Sequence, residues 1–526
     1  MNDTLLFLVP IIPASVALIL GVLQLLGVCQ NEVWERWTAG IVISAQTLIC
    51  FILCYLFFTL WSATETSGIR DYGIWIASGN WQVRWQLSLS LFNLGTGIVF
   101  ALLILVSMRF SVNYLHREQG FHRVFSLLAL FATAMMLLVL AANAFLTFAG
   151  WELVGLSSYA LIAYAFQRTT AANNATRVFL TNRIGDAGFL LFIVTASMWL
   201  GTTEWHELSS AAIKLNSNQI DVVALGLVLA AFVKSAQIPF SPWLTKALEG
   251  PTPTSAVFYG GVMVHAGVFL VIQAQDLIQQ VPLAMHLMFL VGCLSLIFSI
   301  WVGLSIADIK TSHAIASIGQ LAIMFISCGL GFWDLAWLHM LAHAIVRSFL
   351  MLSAPGIMHD SKAQPVRRFK NRLAFSRFLY RLSIQRFWLD ELINHIVVRP
   401  FLRLTDDMAY LDQNIVSRII SAPAPLVEKA STIAQREELK VGANLITDDD
   451  SFASGSGLAA RLTVLVAELI HQFEQHFILY GIGRDSIQLG RRLGHVANRF
   501  EQILLKPRYI ILFVLICLMV VLGVSP

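Results

Sequence analysis

The sequence predicts an all-α polytopic membrane protein of about twelve spanning helices, and three observations carry that prediction. Of 526 residues, 57% are hydrophobic and only 13% are Asp, Glu, Lys or Arg, about half the charged share of an ordinary soluble domain. Mean hydropathy is +0.72, which means more apolar surface than a soluble fold of this length can hide. Apolar runs long enough to cross a bilayer, about 20 residues each, recur along the chain. The same composition excludes a disordered chain. The net charge of +4 and pI of about 8.7 fit basic loops between spans, so membrane lipid is the expected surrounding and no nucleic-acid partner is expected.

The opening MNDTLLFLVPIIP has no basic segment and stays apolar too long for a cleaved signal, so it reads as the first span. Spans are predicted near 4–28, 38–62, 92–113, 122–142, 144–165, 176–200, 220–238, 253–275, 281–303, 312–331, 334–355 and, last, 509–524. Between the second and third, residues 63–91 are rich in Trp and alternate apolar with polar side chains. That pattern predicts an external β-hairpin. One set of loops holds Arg36, Arg109, Arg117, Arg123, Arg168, Arg177, Lys246 and Lys310, and the other only Arg70, Arg84 and Lys214. Basic loops face the cytoplasm, so the N-terminus is expected outside.

Composition shifts after Pro355. Residues 356–507 are polar and charged, open on the basic run VRRFKNRLAFSRFLYR (366–381), and contain two amphipathic stretches, 386–404 and 461–483. The expected organisation is a transmembrane domain over 1–355, a cytoplasmic or interfacial region over 356–507 suited to surface anchoring or partner docking, and a last span over 508–526. The six cysteines are scattered, with no CxxC pair or Cys/His cluster, so neither a disulfide framework nor a metal site of that kind is predicted. No Walker loop, dinucleotide fingerprint, GxSxG or HExxH is present. The chain therefore reads as a transporter rather than an enzyme, with no cofactor of its own.

Ionisable residues inside the membrane are costly and mark ion or proton routes. Here they form a series: Glu152, Arg183, Asp186, Lys234, His265, Asp308 and Lys310 at the end of the ninth span, His313, His339, His343 and Arg347. His339, His343 and Arg347 stand at i, i+4 and i+8, hence on one helical face. Such a face can relay protons through histidine, which titrates near neutrality, whereas Arg347 only biases its neighbours. Lys234 is followed by Pro239, Pro242, Pro251 and Pro253, which break helices; broken helices in membranes line ion paths. A buried Lys needs an acidic partner, and Glu152 is the expected one. Asp186 is three residues from Arg183, so a local pair is expected. His265 reads equally as a relay member or a satisfied packing residue.

These residues lie in GWELVGLSSYALIAY, RVFLTNRIGDAGF, VKSAQIPFSPWLTKALEGPTPTSAVFYGGVMVHAGVFL, ADIKTSHAIASIGQLAIMF and WLHMLAHAIVRSFL. In this order, over about residues 60–355, the segments resemble the proton-conducting antiporter-like family. That family includes the large distal membrane subunit of respiratory complex I and its counterpart in Mrp-type sodium/proton antiporters. LDELINHIVVRPFL (389–402) resembles the segment before the last helix of those proteins. The resemblance implies two inverted five-helix repeats, each with a broken helix. It implies an ion path over Glu152, Lys234, Asp186, Lys310, His339 and His343, with His265 and Arg347 beside them.

The sequence departs from the family at three single residues and in one segment. Arg347 replaces a Lys, Tyr259 a His, and His265 a small residue. The basic segment 362–381 stands where further spanning helices are usual, so the second repeat is expected to be shortened. A shortened chain resembles the DabB branch, the membrane subunits of dissolved-inorganic-carbon accumulation complexes. That resemblance implies an inner-membrane protein passing protons inward to energise a large zinc-containing, carbonic-anhydrase-like DabA partner, with the zinc in that partner. The alternative is a component of a complex I-like oxidoreductase or an Mrp-type antiporter; a third reading is a non-conducting anchor.

Overall fold

The computed structural model describes residues 2–27, 32–62, 64, 66–78, 81–360 and 377–411. Among them, eleven helices are long and apolar enough to cross a membrane: α1 (Asn2–Leu25), α2 (Glu32–Trp61), α3 (Leu91–Tyr114), α4 (Phe121–Leu140), α5 (Ala144–Ala165), α6 (Thr169–Leu200), α7 (Ser217–Lys234), α8 (Thr252–Gln273), α9 (Pro282–Gly303), α10 (Ile309–Gly329) and α11 (Trp333–Ala354). Each falls on a predicted run. The twelfth, at 509–524, and the amphipathic stretch at 461–483 lie outside the described residues.

Polar caps set several helix starts. Ser90 accepts from Asn93 N, Asn143 from Leu146 N, and Asp308 from Thr311 N. Asn216 and Gln219 form a reciprocal capping box at α7. These side chains satisfy backbone donors that the helix itself leaves open. Asp308 and Lys310 therefore begin α10 instead of ending α9, because the Asp308 carboxylate caps the helix that follows it.

Helices α4 and α8 are mostly apolar and buried on nearly all faces, the pattern of helices at the centre of a bundle. The others wrap them. Close approach depends on glycine where backbones touch. A Cβ on Gly188 of α6 would meet the Gly226 carbonyl of α7 at 2.8 Å, and one on Gly226 would meet the Gly188 carbonyl at 2.8 Å. Small residues at such crossings let membrane helices pack by dispersion where no hydrophobic drive exists.

The predicted hairpin is present. Strand β1 (Gly68–Ser78) pairs antiparallel with β2 (Trp81–Leu89), with irregular register between Asp71 and Ile76. It is tied to the bundle from both strands. Arg70 pairs with Asp3 at 2.6 Å, and Tyr72 donates to the Asp3 carbonyl at 2.6 Å. Ala142 N donates to Gln86 O at 3.0 Å, and Asn143 to Arg84 O at 3.0 Å. Burial alone would raise the Asp71 carboxyl, but the Arg84 guanidinium and the Gly73 N–H bonded to it hold it below the usual carboxylate range.

After α11 come short pieces. Helix α12 (Arg377–Ile384) is followed by irregular turns through Arg386–Trp388 and Leu389–Ile393. Up to Val398 this segment packs on the bundle: Ser383 Oγ donates to Trp301 O at 2.6 Å, Arg386 to Thr245 at 2.8 Å, and Ile393 and Val398 lie against Leu180. Residues Arg399–Leu411 form a helix belonging to a second compact unit.

The Gly188–Gly226 crossing gives a stability test. Gly226→Leu forces α6 and α7 apart and costs about 1–3 kcal/mol, read as a lower melting temperature in detergent. Gly40→Ala, where a Cβ meets nothing within 4 Å, does not lower it, since Ala is the better helix former.

Candidate functional site

Helix α7 stops in mid-bundle at Lys234. Pro239 and Pro242 lack the N–H groups a continuing helix needs. Ala236 adopts φ +52°, a conformation rare for a residue with a Cβ. The carbonyls released are taken up locally: Trp243 Nε1 donates to Val233 O at 2.8 Å, and Gln237 N to Phe232 O at 2.9 Å. Lys234 thus sits at the negative end of a helix, where a cation is favoured, and is 1% exposed.

Its partners differ from the expected one. Among the described residues, no carboxylate lies within 4.0 Å of Lys234. Its Nζ donates to Trp151 O at 3.4 Å and stands 4.6 Å from the centroid of the Trp151 ring, a cation–π contact in a water-poor site. Trp151 Nε1 donates to Asp186 Oδ1 at 2.8 Å. Asp186 pairs with Arg183 at 3.2 Å, as expected from their spacing. Arg183 also pairs with Glu152. The cluster is thus ordered Lys234–Trp151–Asp186–Arg183–Glu152. Glu152 is not Lys234's direct partner, because the guanidinium offers the carboxylate several donors in a fixed plane and Trp151, adjacent in sequence, is interposed.

The second break is in α8. Its helix widens to a π-type turn over Ala256–Gly261, bends at Val262 (φ −128°, ψ −66°), tightens over Met263–His265, and resumes as Ala266–Gln273. Such turns recur at functional sites. Gly260 and Gly261 let α11 come close: a Cβ on Gly260 would press on the Arg347 carbonyl at 3.2 Å, and one on Gly261 would overlap Ser348. This approach brings His265 Nε2 to 2.8 Å from His343 Nδ1. His343 Nε2 accepts from Arg347 Nε at 3.3 Å, and Arg347 Nη1 lies 3.4 Å from His313 Nδ1. One turn before His313, Lys310 donates to Thr252 at 2.7 Å, and Thr252 bonds Tyr114 at 3.0 Å.

The α11 stripe therefore splits. His343 and Arg347 join His265, whereas His339 bonds Gln320 at 2.9 Å and has its ring 6.1 Å from that of His343. His313, to which spacing alone assigns no role, completes the chain. Trp151 and Gln320 carry no charge that would single them out in the sequence. Tyr259, at the position usually held by His, donates to the Ala247 carbonyl and is buried.

The two clusters meet at the breaks: Ser235, next to Lys234, donates to the carbonyl of Val264, next to His265, at 2.7 Å. Around this junction Gln237 Oε1, Ser241 Oγ, Ser255 Oγ, His313 Nε2 and Ser348 Oγ are buried with no hydrogen-bond partner among the described residues. Buried polar atoms of this kind are met by water, so the junction is suited to a hydrated route through the bundle.

The ordering of the first cluster is testable by double-mutant cycles on thermal stability. Glu152→Gln with Arg183→Gln shows coupling of about 0.5–3 kcal/mol. Glu152→Gln with Lys234→Met couples more weakly, and the reverse ranking would mean that Glu152 and Lys234 are the direct pair.

Residues 141–384, which contain every residue of both clusters except Tyr114, match the family described as NADH:quinone oxidoreductase/Mrp antiporter, TM. The chain is 38% identical over 250 residues to NADH-quinone oxidoreductase subunit L of Campylobacter jejuni, covering 48% of this chain and 42% of that protein. It is 34% identical over 302 residues to the same subunit of Rickettsia felis, covering 56% and 46%. It is 31% identical over 367 residues to the chloroplastic NAD(P)H-quinone oxidoreductase subunit 5 of Carpenteria californica, covering 67% and 48%. The chain thus spans about half the length of the curated relatives it matches. A structure of the Mrp complex from Dietzia sp. DQ12-45-1b superposes with a TM-score of 0.59 at 20% identity, covering 99% of this chain and 63% of that one, and so shares the fold. The chain is a multi-pass membrane protein with the antiporter-like fold, and its residues 141–384 are similar to the transmembrane region of NADH:quinone oxidoreductase and Mrp antiporter proteins.

Proposed function

We propose that this protein is a cation-conducting, antiporter-like component of a larger membrane complex of the complex I or Mrp kind. The observation that carries the reading is the hydrogen-bonded chain His265–His343–Arg347–His313, joined through Ser235 and Val264 to the Lys234 cluster at two facing helix breaks. The matched relatives are named as subunits of quinone oxidoreductases, which fits a chain whose redox or hydrolytic chemistry lies in other subunits.

The ion is read as a proton. Neutral imidazole both donates and accepts. With His343 Nε2 accepting from Arg347, the His343 Nδ1–H donates to His265 Nε2. A proton moves on through the pair when water replaces Arg347 at Nε2 and resupplies His343 while His265 releases its Nδ1 proton. Arg347 keeps its charge and opposes cation accumulation at His343 and His313. In the other cluster, Arg183 bridges Glu152 and Asp186 while Lys234 stays one indole away from Asp186. Movement of Arg183 off Asp186 would free that carboxylate to pair with Lys234. A change in this pairing alters the positive field at the junction and gates proton entry to the histidines. Lys310, at the start of α10, is the exit group toward the side bearing the basic loops, which we take as cytoplasmic. The membrane is taken to be the bacterial inner membrane.

A second reading, energising inorganic-carbon accumulation with a zinc-bearing DabA-like partner, is favoured by one feature. After α11 the chain continues as short amphipathic helices over 377–411 that are suited to docking, where another span would be expected. Under it the zinc belongs to the partner.

Two measurements test these readings. In vesicles containing the protein with its co-purifying subunits, Lys234→Ala lowers potential-driven proton flux by about tenfold or more; unchanged flux would exclude a conducting role for this cluster. The co-purifying proteins separate the branches. Redox or small antiporter subunits support the first reading, and one large zinc-bearing partner in fixed ratio supports the second.

A further inference from the structure

Beneath the hairpin, on the side of the bundle where β1 and β2 pack, lies a cavity of about 430 Å³. Its polar lining includes Asp276, Asp334, His206, Gln273, Asn93 and Trp333. Asp276 and Asp334 are exposed. Asp276 and Asp334 are thus two carboxylates on the lining, and Glu204 and Glu207 stand beside its one imidazole, with carboxylate oxygens within 4.8 Å of the His206 ring nitrogens. Trp333 is 7% exposed, and its indole N–H has no hydrogen-bond partner among the described residues. A buried donor in a polar cavity of this size is met by water. The cavity is therefore hydrated and negative, and it raises the local concentration of cations.

Its floor is aromatic. Phe92, which lines the cavity, stacks on Phe269 with ring centroids 5.1 Å apart and planes at 6°, and lies 5.6 Å from the Trp337 ring. Trp337 is held in place by a 3.0 Å bond from Nε1 to Thr96. Phe269 is 1% exposed and one helical turn from His265. Gln273, on the cavity wall, is one turn further along the same helix, about 12 Å along the axis from His265. On α11, Trp337 lies six residues before His343, about 9 Å. Phe269 thus lies between Gln273 and His265 along α8, and Trp337 precedes His343 along α11, so the stacked rings stand between the cavity wall and the histidines.

We propose that this cavity is the outer mouth of the ion path, that it takes up water and monovalent cations, protons included, and that the Phe92–Phe269–Trp337 stack is the barrier closing it from the His265–His343 pair. The mouth carries ions only if the conducting role above holds, but its hydration and closure are measurable without ion flux. Tilting of Phe92 opens the barrier. A tightly stacked apolar floor excludes water, whereas the charged rim above it does not select among small cations.

The test is thiol labelling from the hairpin side in the full protein with its co-purifying subunits, read above the background of the native cysteines. Gln273→Cys reacts with impermeant methanethiosulfonates, and the cationic reagent reacts about tenfold faster than the anionic one. Asp334→Asn with Asp276→Asn weakens that preference; both positions are exposed, so these variants fold. Phe269→Cys reacts at least about tenfold more slowly than Gln273→Cys, and adding Phe92→Ala exposes it; Phe92→Leu, which keeps more bulk, gives an intermediate rate. An unreactive Gln273→Cys, no charge preference, or equal labelling of Phe269→Cys with and without Phe92 would overturn the proposal. If Lys234→Ala leaves flux intact while this labelling pattern holds, the conduction reading fails and the closed, hydrated mouth stands.

Discussion

A buried ammonium at the end of an interrupted helix is the constraint on which the rest of this structure depends. Lys234 has to be held in a site that is 1% exposed, where an unpaired charge is prohibitive. The protein supplies a helix C-terminus, an indole face and a backbone carbonyl, and places the compensating carboxylate one ring away. Direct pairing with Asp186 or Glu152 would be stronger electrostatically in this medium. It would also fix the cluster in one state. Interposing Trp151 and giving both carboxylates to Arg183 leaves Asp186 one indole away from Lys234, so an exchange of partners needs only a short movement.

That arrangement dictates the architecture around it. Helix α7 must stop where Lys234 stands, so the prolines that follow are not incidental. The chain leaving α7 crosses the bundle and returns as α8, whose own break lies against the first through Ser235 and Val264. Glycines at 260 and 261 then admit α11 near the break, and only this approach turns the α11 stripe toward His265. Two separate sets of ionisable residues become one connected region because two helices are broken at the same depth.

The hairpin has a structural consequence beyond covering the bundle. Asn143 bonds both the hairpin and the first turn of α5, the helix that carries Trp151 and Glu152. Gln86 of β2 in turn bonds Glu204 at 3.1 Å. The hairpin thereby couples the cap of the helix holding the charge cluster to the rim of the outer cavity, through side chains that read as ordinary polar residues of a strand.

Much of the fold is legible along the chain. Eleven described spans and the hairpin follow from hydropathy and alternation, because lipid demands continuous apolar helices and a strand pair shows its two faces. The inventory of intramembrane charges is equally plain, since each such residue costs too much to be accidental. Partners are not legible. Spacing along one helix correctly pairs Arg183 with Asp186, yet it cannot show that Arg183 also takes Glu152 from Lys234, that His343 turns to His265 while His339 turns to Gln320, or that His313 closes the chain. Those choices are made between helices distant in sequence and depend on backbone approach, set by glycine contacts and by bends that hydropathy does not encode. The sequence by itself determined which residues are forced to find partners in the membrane; the tertiary structure alone decided which partners they find.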